Sequence, residues 1–330
     1  MDKVEFGKRL RAWFRRHGRD LPWRRTHDPY AILVSEMMLQ QTTVAAVMPY
    51  FGRWMQRFPS VRELAVAEES EILALWQGLG YYRRARHLHA AAKRVVSGTG
   101  FSWSYDGLRA LPGVGDYTAN AVRAFAFDEP VPVLDANVIR VVARLFALRA
   151  PVDSAKGLSA VRSKLEGILP ERGGREFLSA LMELGALVCR AGRPDCLLCP
   201  VKKFCAAKSP EKLPIKAPKV PMKARTEHVA WVGGRKTVLL QQSETRRWTG
   251  LWRLPPLEVE PLPGPAATLT YSIVRERVTL KVHRVTRRLV AATGEPRRAF
   301  PLEELTRIAI PTPHRRAIAK MLREEHIQGS

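Results

Sequence analysis

The spacing of hydrophobic positions changes part-way along the chain. Up to about residue 205, apolar residues recur at helical spacing, as in the segment YAILVSEMMLQQTTVAAVMPYF, which follows a capping Asp28-Pro29 pair. Further on, short runs rich in β-branched and aliphatic residues predict strands, namely VAWV, KTVLLQQ, RVTLKVHRV and RRLVAA. The closing segment PHRRAIAKMLREEH predicts an amphipathic helix.

A proline-rich stretch separates these two regions. The sequence AAKSPEKLPIKAPKVPMKAR begins at residue 206 and has prolines at 210, 214, 218 and 221. Because proline at this density prevents helix formation and favours extended backbone, the stretch predicts a semi-rigid linker over 206–226. The predicted fold class is therefore multidomain, with an all-α domain over 1–205 and a smaller α/β domain over 227–330.

The charge balance indicates what kind of partner the protein binds. The 330-residue chain carries 55 Lys and Arg against 31 Asp and Glu, a formal net charge of +24. Such an excess favours a polyanionic partner, either nucleic acid or an anionic membrane surface. There is no apolar run long enough to span a membrane, and the start MDKVEFGKRLRAW lacks an apolar signal core. The sequence therefore predicts a cytoplasmic protein that acts on DNA or RNA, without a membrane partner.

The four cysteines of the chain lie in one short window, 189–205, with the spacing C-x6-C-x2-C-x5-C. They are Cys189, Cys196, Cys199 and Cys205. Four thiolates on a short loop suit an iron–sulfur cluster or a zinc ion, and a thiol-reducing compartment disfavours disulfides. The spacing alone leaves both metal alternatives open. The loop also carries basic side chains, which favour nucleic acid as the partner, and these are Arg190, Arg193, Lys202 and Lys203.

A glycine-containing turn precedes another helical segment. Residues 111–119 read LPGVGDYTA, with Gly113 and Gly115 just ahead of the helical NAVRAFAF. Glycines at this place leave backbone N–H groups free to face an anion at the positive end of a helix. A G-x-G turn alone is more often only a turn, but the helical YDGLRAL before it, the charge and the cysteine loop favour phosphate binding. The segment therefore predicts a helix–hairpin–helix that grips the DNA backbone.

Two carboxylates are predicted to lie in different environments. Glu36 interrupts an apolar helical stripe that includes Ile32, Leu33 and Leu39, and burial there raises the pKa of a carboxyl group. Asp135 stands at the predicted start of a helix, where the helix dipole and free N–H groups favour its anion. One carboxylic acid and one carboxylate together are typical of acid-assisted glycosidic bond cleavage. Each residue alone also fits a structural role, as a paired helical glutamate or a helix cap.

Several long motifs resemble the MutY family of adenine DNA glycosylases, in the helix–hairpin–helix glycosylase superfamily. They are LPWR at 21–24, SEMMLQQT at 35–42, QGLGYYRRARHLH at 77–89, LPGVGDYTA, VLDANVIRV and MELGALVC, together with the cysteine spacing. The resemblance covers about two-thirds of the chain well and the C-terminal part more weakly. It implies a [4Fe–4S] cluster on loop 189–205 and a Nudix-like lesion-recognition domain over 227–330.

The resemblance also implies roles for single residues. Glu36 protonates N7 of a flipped adenine, Asp135 stabilises or captures the sugar oxocarbenium ion, and Tyr117 and Asn137 hold these groups. The adenine pocket consists of Trp23, Arg24, Leu39 and Glu183. The residues that contact DNA are Gln41 and Tyr81, which wedge into the duplex, and Gly113 and Gly115, which bind phosphate. The implied substrate is double-stranded DNA with adenine mispaired with 8-oxoguanine or guanine, in nucleoid-associated base excision repair by a monomer.

Tyr117 narrows the expected chemistry. Bifunctional relatives such as endonuclease III carry a lysine at this position, which attacks the sugar as a Schiff-base nucleophile. Tyrosine cannot form a Schiff base, so base removal without an efficient lyase step is expected. A relative that removes mismatched thymine remains the alternative within the superfamily, although pyrimidines have no N7 for Glu36 to protonate.

The chain departs from the family pattern at two places. Ala136 replaces the glycine of L-D-G-N-V, a minor change at the first turn of a helix. The strand segment that contacts 8-oxoguanine in the family contains Ser or Thr followed by His, whereas the matching residues here are Ile273-Val274-Arg275. A shifted register gives Val285-Thr286-Arg287, which restores a hydroxyl but not the histidine. We therefore expect weaker discrimination of 8-oxoguanine from guanine than is usual in the family.

Two other classes of protein compete with this interpretation. A non-catalytic iron–sulfur DNA-binding protein has no need of Glu36, Tyr117 and Asp135 together. A Nudix hydrolase needs a cluster of glutamates on a helix to hold a divalent metal, whereas the acidic residues after 227 are scattered. The sequence therefore predicts recognition without hydrolysis in the C-terminal domain.

Overall fold

The computed structural model describes residues 1–98, 101–218, 220–234, 236–244, 247–257, 264–290 and 295–327. In these ranges the helices are α1 Lys3–His17, α2 Pro29–Leu39, α3 Val44–Arg57, α4 Val61–Val66, α5 Glu69–Trp76, α6 Arg83–Val96, α7 Tyr105–Arg109, α8 Asp116–Phe127, α9 Ala136–Leu145, α10 Ala155–Glu166, α11 Gly174–Leu187 and α12 Thr312–Ile327. The strands are β1 Lys223–Trp231, β2 Thr237–Gln242, β3 Trp252–Arg253, β4 Ala267–Ile273, β5 Glu276–Arg284 and β6 Arg297–Pro301.

The chain divides into two compact units. The first unit contains 1–66 and the described residues of 87–218, and the second contains 67–86 and the described residues from 219 onward. The sequence predicted a single domain over 1–205, whereas the structure assigns residues 67–86 to the second unit. Helical periodicity does not show which unit a helix packs in. Among the described helices, none combines the length and the apolar character that crossing a bilayer requires.

The predicted linker has more structure than its prolines indicate. Its first part belongs to the first unit, where Ala206 N–H donates to Leu145 O at 2.9 Å and Ala217 N–H donates to Asp153 Oδ1 at 2.8 Å. Its last residues are already sheet, since β1 begins at Lys223. These hydrogen bonds come from residues distant in sequence, so the local composition of 206–226 could not predict them.

The first unit is helical, as predicted, and its core forms where α1, α8, α9, α10 and α11 meet. Apolar residues repeat along each of these helices at the spacing that keeps them on one face. Its buried members include Phe6, Leu10, Val142, Phe177, Leu181 and Leu184. This packing fixes the relative positions of the helix ends that carry the candidate site.

The helix predicted over YAILVSEMMLQQTTVAAVMPYF is interrupted. Helix α2 ends at Leu39, and α3 begins at Val44 after Thr43 caps it by accepting a hydrogen bond from Ala46 N–H. Gln41, between the two helices, has a left-handed backbone with φ 55°. A threonine pair favours a cap over a helix interior because its hydroxyls compete for backbone N–H groups.

In the described residues, the second unit contains two three-stranded sheets, helix α12 and, within 67–86, helix α5. In one sheet the order is β1-β5-β4, with β1 parallel and β4 antiparallel to β5; in the other, β2 pairs antiparallel with both β3 and β6. The strands predicted from VAWV, KTVLLQQ and RVTLKVHRV and the C-terminal helix are confirmed. RRLVAA was predicted to be a strand, but Arg287–Leu289 form a 3₁₀ turn, and the last two residues of the run lie outside the described residues.

Candidate active site

Side chains from five helices and one 3₁₀ turn line a cavity of about 510 Å³ in the first unit. Helix α2 supplies Glu36, α8 supplies Tyr117, and α11 supplies Glu183. The structure brings most of the predicted site residues together here: Trp23, Arg24, Glu36, Leu39, Gln41, Tyr117, Asp135, Asn137 and Glu183. Residues distant in sequence therefore meet in one pocket of a size typical for small-molecule sites.

Glu36 is only 5% exposed, on a helix that is buried from Tyr30 to Met38. Burial raises the pKa of Glu36 to about 7, and the negative charge of Asp135 adds to the rise. A hydrogen bond from Tyr117 acts in the opposite direction. The predicted upward shift is confirmed, and Glu36 holds a proton available for transfer near neutral pH.

Tyr117 lies in the first turn of α8 and donates its phenolic hydrogen to Oε2 of Glu36 at 2.8 Å. Burial raises the pKa of Tyr117 well above its ordinary value, and the nearby carboxylates strengthen this effect. The phenol is therefore neutral and acts as a hydrogen-bond donor. The predicted hydrogen bond from Tyr117 to the two carboxyl groups is confirmed for Glu36.

Asp135 is the N-cap of α9, as predicted. Its Oδ1 accepts a hydrogen bond from Val138 N–H at 2.6 Å, and its Oδ2 accepts one from the Asn137 amide at 2.8 Å. Burial nevertheless outweighs these bonds and the positive charge of Arg140, and it raises the pKa of Asp135 above its ordinary value. The prediction of a net shift toward the anion is wrong, because the sequence shows the cap but not the depth of the site.

The hydrogen bonds of Asn137 extend to the cysteine loop. Arg140 donates from Nη2 to Asn137 Oδ1 at 2.8 Å and from Nε to the Cys189 carbonyl at 2.7 Å. One turn further along α9, the buried Arg144 donates to the carbonyls of Cys189, Arg190 and Gly192. These arginines were not identified from the sequence, although two arginines four residues apart in the apolar run VIRVVARLF share one face of the helix.

Glu183 forms the other charged wall of the cavity and is fully buried. It accepts hydrogen bonds from Arg19 Nε at 2.6 Å and from Arg24 Nη2 at 2.7 Å. Burial by itself raises the pKa of Glu183, but the hydrogen bonds and charges of these two arginines outweigh it and hold the pKa below the usual value. Glu183 is therefore an anion. Arg19 was not identified from the sequence, since it lies in a loop without periodic pattern.

Trp23 closes the pocket beside these charges. It is 7% exposed and packs edge-to-face on Phe51, with the ring centroids 5.4 Å apart. It belongs to a 3₁₀ turn, Pro22–Arg24, whose proline is pre-set for a helical start. The cavity thus combines an apolar ring face with a buried ion pair, an arrangement suited to a flat, hydrogen-bonding base.

The four cysteines line a second cavity, of about 320 Å³, beside Arg144. Arg144 Nη1 lies 3.3 Å from Cys189 Sγ, and burial raises the pKa of the Cys199 thiol to about 11, with the other three cysteines adding to the rise. In the ranges that the structure describes, no three Cys, His, Asp or Glu side chains form a group that could hold a metal ion. By the chemistry of the donor set rather than by their positions here, the four sulfurs and the neighbouring arginine suit a thiolate-bound cluster.

The glycine turn has the predicted form, between α7 and α8. Gly113 has φ 76°, and a side chain there would lie 2.3 Å from His87 Nδ1, so only glycine fits. Gly115 is the N-cap of α8, with open space where a side chain would stand. The turn therefore presents backbone N–H groups at a helix N-terminus, as a phosphate site requires.

Comparison with known proteins agrees with this geometry. Residues 34–168 match the HhH-GPD superfamily of base excision DNA repair proteins. An adenine DNA glycosylase of Arabidopsis thaliana is 37% identical over 299 residues, which cover 77% of this chain and 47% of the relative. That of Buchnera aphidicola is 33% identical over 238 residues, covering 70% of this chain and 67% of the relative. The chain belongs to the adenine DNA glycosylase family.

The match to longer members of the family is partial. The chain spans about half the length of the Arabidopsis relative. Among solved structures, a thermostable thymine-DNA glycosylase superposes with a TM-score of 0.57 and 28% identity, covering 62% of this chain and 95% of that one. The helical glycosylase fold is thus shared across proteins whose names specify different bases.

Two residues that the family resemblance assigns to duplex distortion have unusual backbones. Gln41 is exposed with φ 55°, and Tyr81 is 47% exposed with φ 49°. Tyr81 belongs to the second unit. There it lies under the guanidinium of Arg84, 5.5 Å from its ring centroid. Left-handed backbone in non-glycine residues is uncommon and is concentrated at functional sites.

The segment assigned to recognition of the opposite base lies at the tip of a β-hairpin. Ile273 ends β4, and Val274 and Arg275 form the turn before β5, whereas the family segment they match is part of a strand. Val274 is 82% exposed with φ 52°, a strained conformation for a β-branched residue. In the alternative register, Val285 packs on a small buried cluster and Thr286 precedes a 3₁₀ turn.

Proposed function

We propose that this protein is an adenine DNA glycosylase that hydrolyses the N-glycosidic bond of adenine mispaired with 8-oxoguanine or guanine in duplex DNA. The observation that carries the proposal is the buried Glu36, hydrogen-bonded to Tyr117 in the same cavity as Asp135. A non-catalytic DNA-binding protein does not need a carboxylic acid with a pKa of about 7 inside a cavity.

The acid step follows from the geometry of Glu36. With a pKa of about 7 it is protonated in a large fraction of molecules at neutral pH and can donate to N7 of a flipped adenine. Protonation makes the base a better leaving group. Tyr117 orients the carboxyl group and, as a phenol, forms no Schiff base with the sugar, which favours base removal without strand cleavage.

Asp135 acts on the other product of bond cleavage. Its carboxylate stabilises the positive charge that develops on the sugar, or captures it until water attacks. The bonds from Val138 N–H and Asn137 oppose the effect of burial and keep the group oriented. The cation that forms next to it favours ionisation of Asp135 during the reaction.

The pocket recognises the base through Glu183 and Trp23. Glu183 is an anion held by Arg19 and Arg24, and its oxygens can accept a hydrogen from an exocyclic amine such as N6 of adenine. Trp23 and Leu39 supply apolar surface for the ring. The pocket thus contains an acid, Glu36, suited to protonate a purine N7 and an acceptor, Glu183, suited to an exocyclic amine.

The cysteines at 189, 196, 199 and 205 would hold a [4Fe–4S] cluster. The cluster would cross-link a loop that carries four basic residues and so fix them for contact with phosphates. Equal amounts of iron and acid-labile sulfide in the purified protein, lost together in Cys199→Ala, would support this assignment. Zinc in place of iron would contradict it.

The second unit is proposed to be a Nudix-like domain that reads the base opposite adenine, without hydrolase activity. The hairpin tip Val274-Arg275 would make the contact, with weaker discrimination of 8-oxoguanine because Val274 has no side-chain hydrogen-bond donor or acceptor. The charge of +24 supports duplex DNA as the partner of a monomer in the cytoplasm, associated with the nucleoid.

Single-turnover cleavage tests the proposal directly. Duplexes that carry adenine opposite 8-oxoguanine, guanine, cytosine or thymine are compared, with Glu36→Gln as the matched control. Adenine release opposite 8-oxoguanine or guanine that is lost in the variant supports the proposal. Release of mismatched thymine alone, by a cluster-loaded protein, would assign the substrate of the superfamily alternative instead.

A further inference from the structure

The wall of the cavity that carries Trp23 and Arg24 is a short piece of irregular chain. The turn Pro22–Arg24 is closed by hydrogen bonds from Arg24 N–H to Leu21 O at 2.8 Å and from Arg25 N–H to Pro22 O at 3.1 Å. Leu21, at the N-cap, makes no side-chain cap. A single 3₁₀ turn has poor hydrogen-bond geometry, so its position depends on contacts from other elements.

Arg175, near the start of α11, supplies such contacts. Its Nη2 donates to the carbonyl of Arg24 at 2.6 Å and to that of Thr26 at 2.7 Å. Its Nη1 donates to the Phe125 carbonyl in the last turn of α8 and lies 3.0 Å from His27 Nδ1. The guanidinium of Arg175 therefore connects the irregular segment, through the carbonyls of Arg24 and Thr26, to the last turn of α8.

The backbone of Arg175 completes this connection. Its N–H donates to Asp128 Oδ1 at 2.8 Å, just beyond the end of α8. The three elements joined in this way each supply a site residue, because the turn carries Trp23, α8 carries Tyr117 and α11 carries Glu183. The hydrogen bonds of Arg175 go to backbone carbonyls and His27, not to the carboxyl groups of Glu36 or Asp135.

We propose that Arg175 is a positioning residue for base removal, which sets the distance between the Trp23 wall and the acid Glu36. The inference rests on the proposed function and adds a residue to it. A planar guanidinium with five N–H donors can bond three separate carbonyls, whereas a lysine ammonium is a single point with three donors. Misplacing a bound group by about 1 Å costs on the order of 100-fold in rate.

Arg175→Gln and Arg175→Lys test the inference. In single-turnover reactions well below each melting temperature, Arg175→Gln is expected to lower the cleavage rate by roughly 10- to 100-fold. Affinity for a duplex with a non-cleavable adenine analogue is expected to stay within about twofold, and Arg175→Lys to recover part of the rate. If Arg175→Gln fails to fold, Arg175→Lys tests the inference alone. A slower cleavage rate in Arg175→Lys, together with the melting temperature of the wild type, supports it.

The matched control is Arg15→Gln, on α1, whose ion-pair partner Glu176 follows Arg175 on α11. Arg15 makes an exposed bidentate pair with Glu176, at 2.6 and 3.0 Å, and its loss is expected to leave rate and affinity unchanged. A wild-type rate in both Arg175 variants overturns the inference. A parallel loss of rate and duplex affinity also overturns it, because Arg175 would then be a DNA contact.

Hydrogen exchange separates this inference from the proposed function. Amides of 21–28 are expected to exchange faster in Arg175→Gln than in wild type, whatever base the protein removes. Unchanged exchange in 21–28 overturns the positioning role. A wild-type protein that releases no adenine but shows the faster exchange in the variant contradicts the proposed function alone.

Discussion

The phenolic hydroxyl of Tyr117 and Oε2 of Glu36 are 2.8 Å apart, with the tyrosine as donor. This hydrogen bond favours the charged form of Glu36, whereas burial and the charge of Asp135 favour the protonated form and prevail. The pKa of Glu36, about 7, therefore results from opposing effects, and the hydroxyl of Tyr117 lowers it.

Tyr117→Phe is expected to move the pH dependence of base removal. Glu36 must be protonated to act as an acid, so the rate falls as pH rises through its pKa of about 7. Removing the phenol raises this pKa further, and the fall is expected at higher pH, with a lower plateau because the carboxyl group is less well oriented. Single-turnover rates between about pH 5 and pH 9 check this; a fall displaced to lower pH would contradict it.

Glu36→Gln is expected to abolish cleavage and to stabilise the fold at alkaline pH. Because the folded-state pKa of Glu36 is raised, its contribution to stability is fully present below its unfolded pKa of about 4.5 and is lost as pH rises through about 7. The loss amounts to about 3 kcal/mol at most. Denaturant unfolding is expected to show a more stable variant near pH 8.5 and a much smaller difference near pH 5. Equal differences at both pH values would contradict the assignment.

Arg140→Gln tests the connection between the cysteine loop and Asp135. The variant loses the bonds to Asn137 Oδ1 and to the Cys189 carbonyl, so Asn137 is expected to hold Asp135 less firmly and cleavage to slow by roughly 10-fold or more. Arg15→Gln, which removes an exposed pair with Glu176 outside the cysteine loop, is the matched control and is expected to keep the wild-type rate. Similar rates in both variants would mean that the bonds of Arg140 do not act on the reaction.

The sequence predicted the local features of the site well. The N-cap at Asp135, the Asp28-Pro29 helix start and the burial of Glu36 follow from residue type and periodicity, and the structure confirms each. What local pattern could not predict depends on long-range contacts. The raised pKa of Asp135 and the strand at Lys223 result from elements that meet only in the folded chain.

Duplex affinity is expected to fall steeply with salt. The charge of +24 and the basic cysteine loop predict release of counterions, with a slope of about −0.9 in log K against log salt for each phosphate contacted. Lys202→Gln is expected to reduce the magnitude of this slope, whereas Val274→Ala, which changes no charge, leaves it as in wild type. Affinity that does not change between low and moderate salt would contradict an extended duplex footprint.

The turn between β4 and β5 carries the last prediction. Val274 there is exposed in a left-handed conformation, and neither its side chain nor that of Arg275 offers a hydroxyl or an imidazole. The double variant Val274→Ser, Arg275→His is expected to increase the preference for adenine opposite 8-oxoguanine over guanine by about 1–3 kcal/mol, the size of one specific base contact. Single-turnover rates and duplex affinities for the two opposing bases measure the ratio. Arg277→His, an exposed arginine on β5, is the control for the loss of charge. If the preference for 8-oxoguanine over guanine rises equally in the double variant and in Arg277→His, or in neither of them, the opposite base is recognised elsewhere in the molecule.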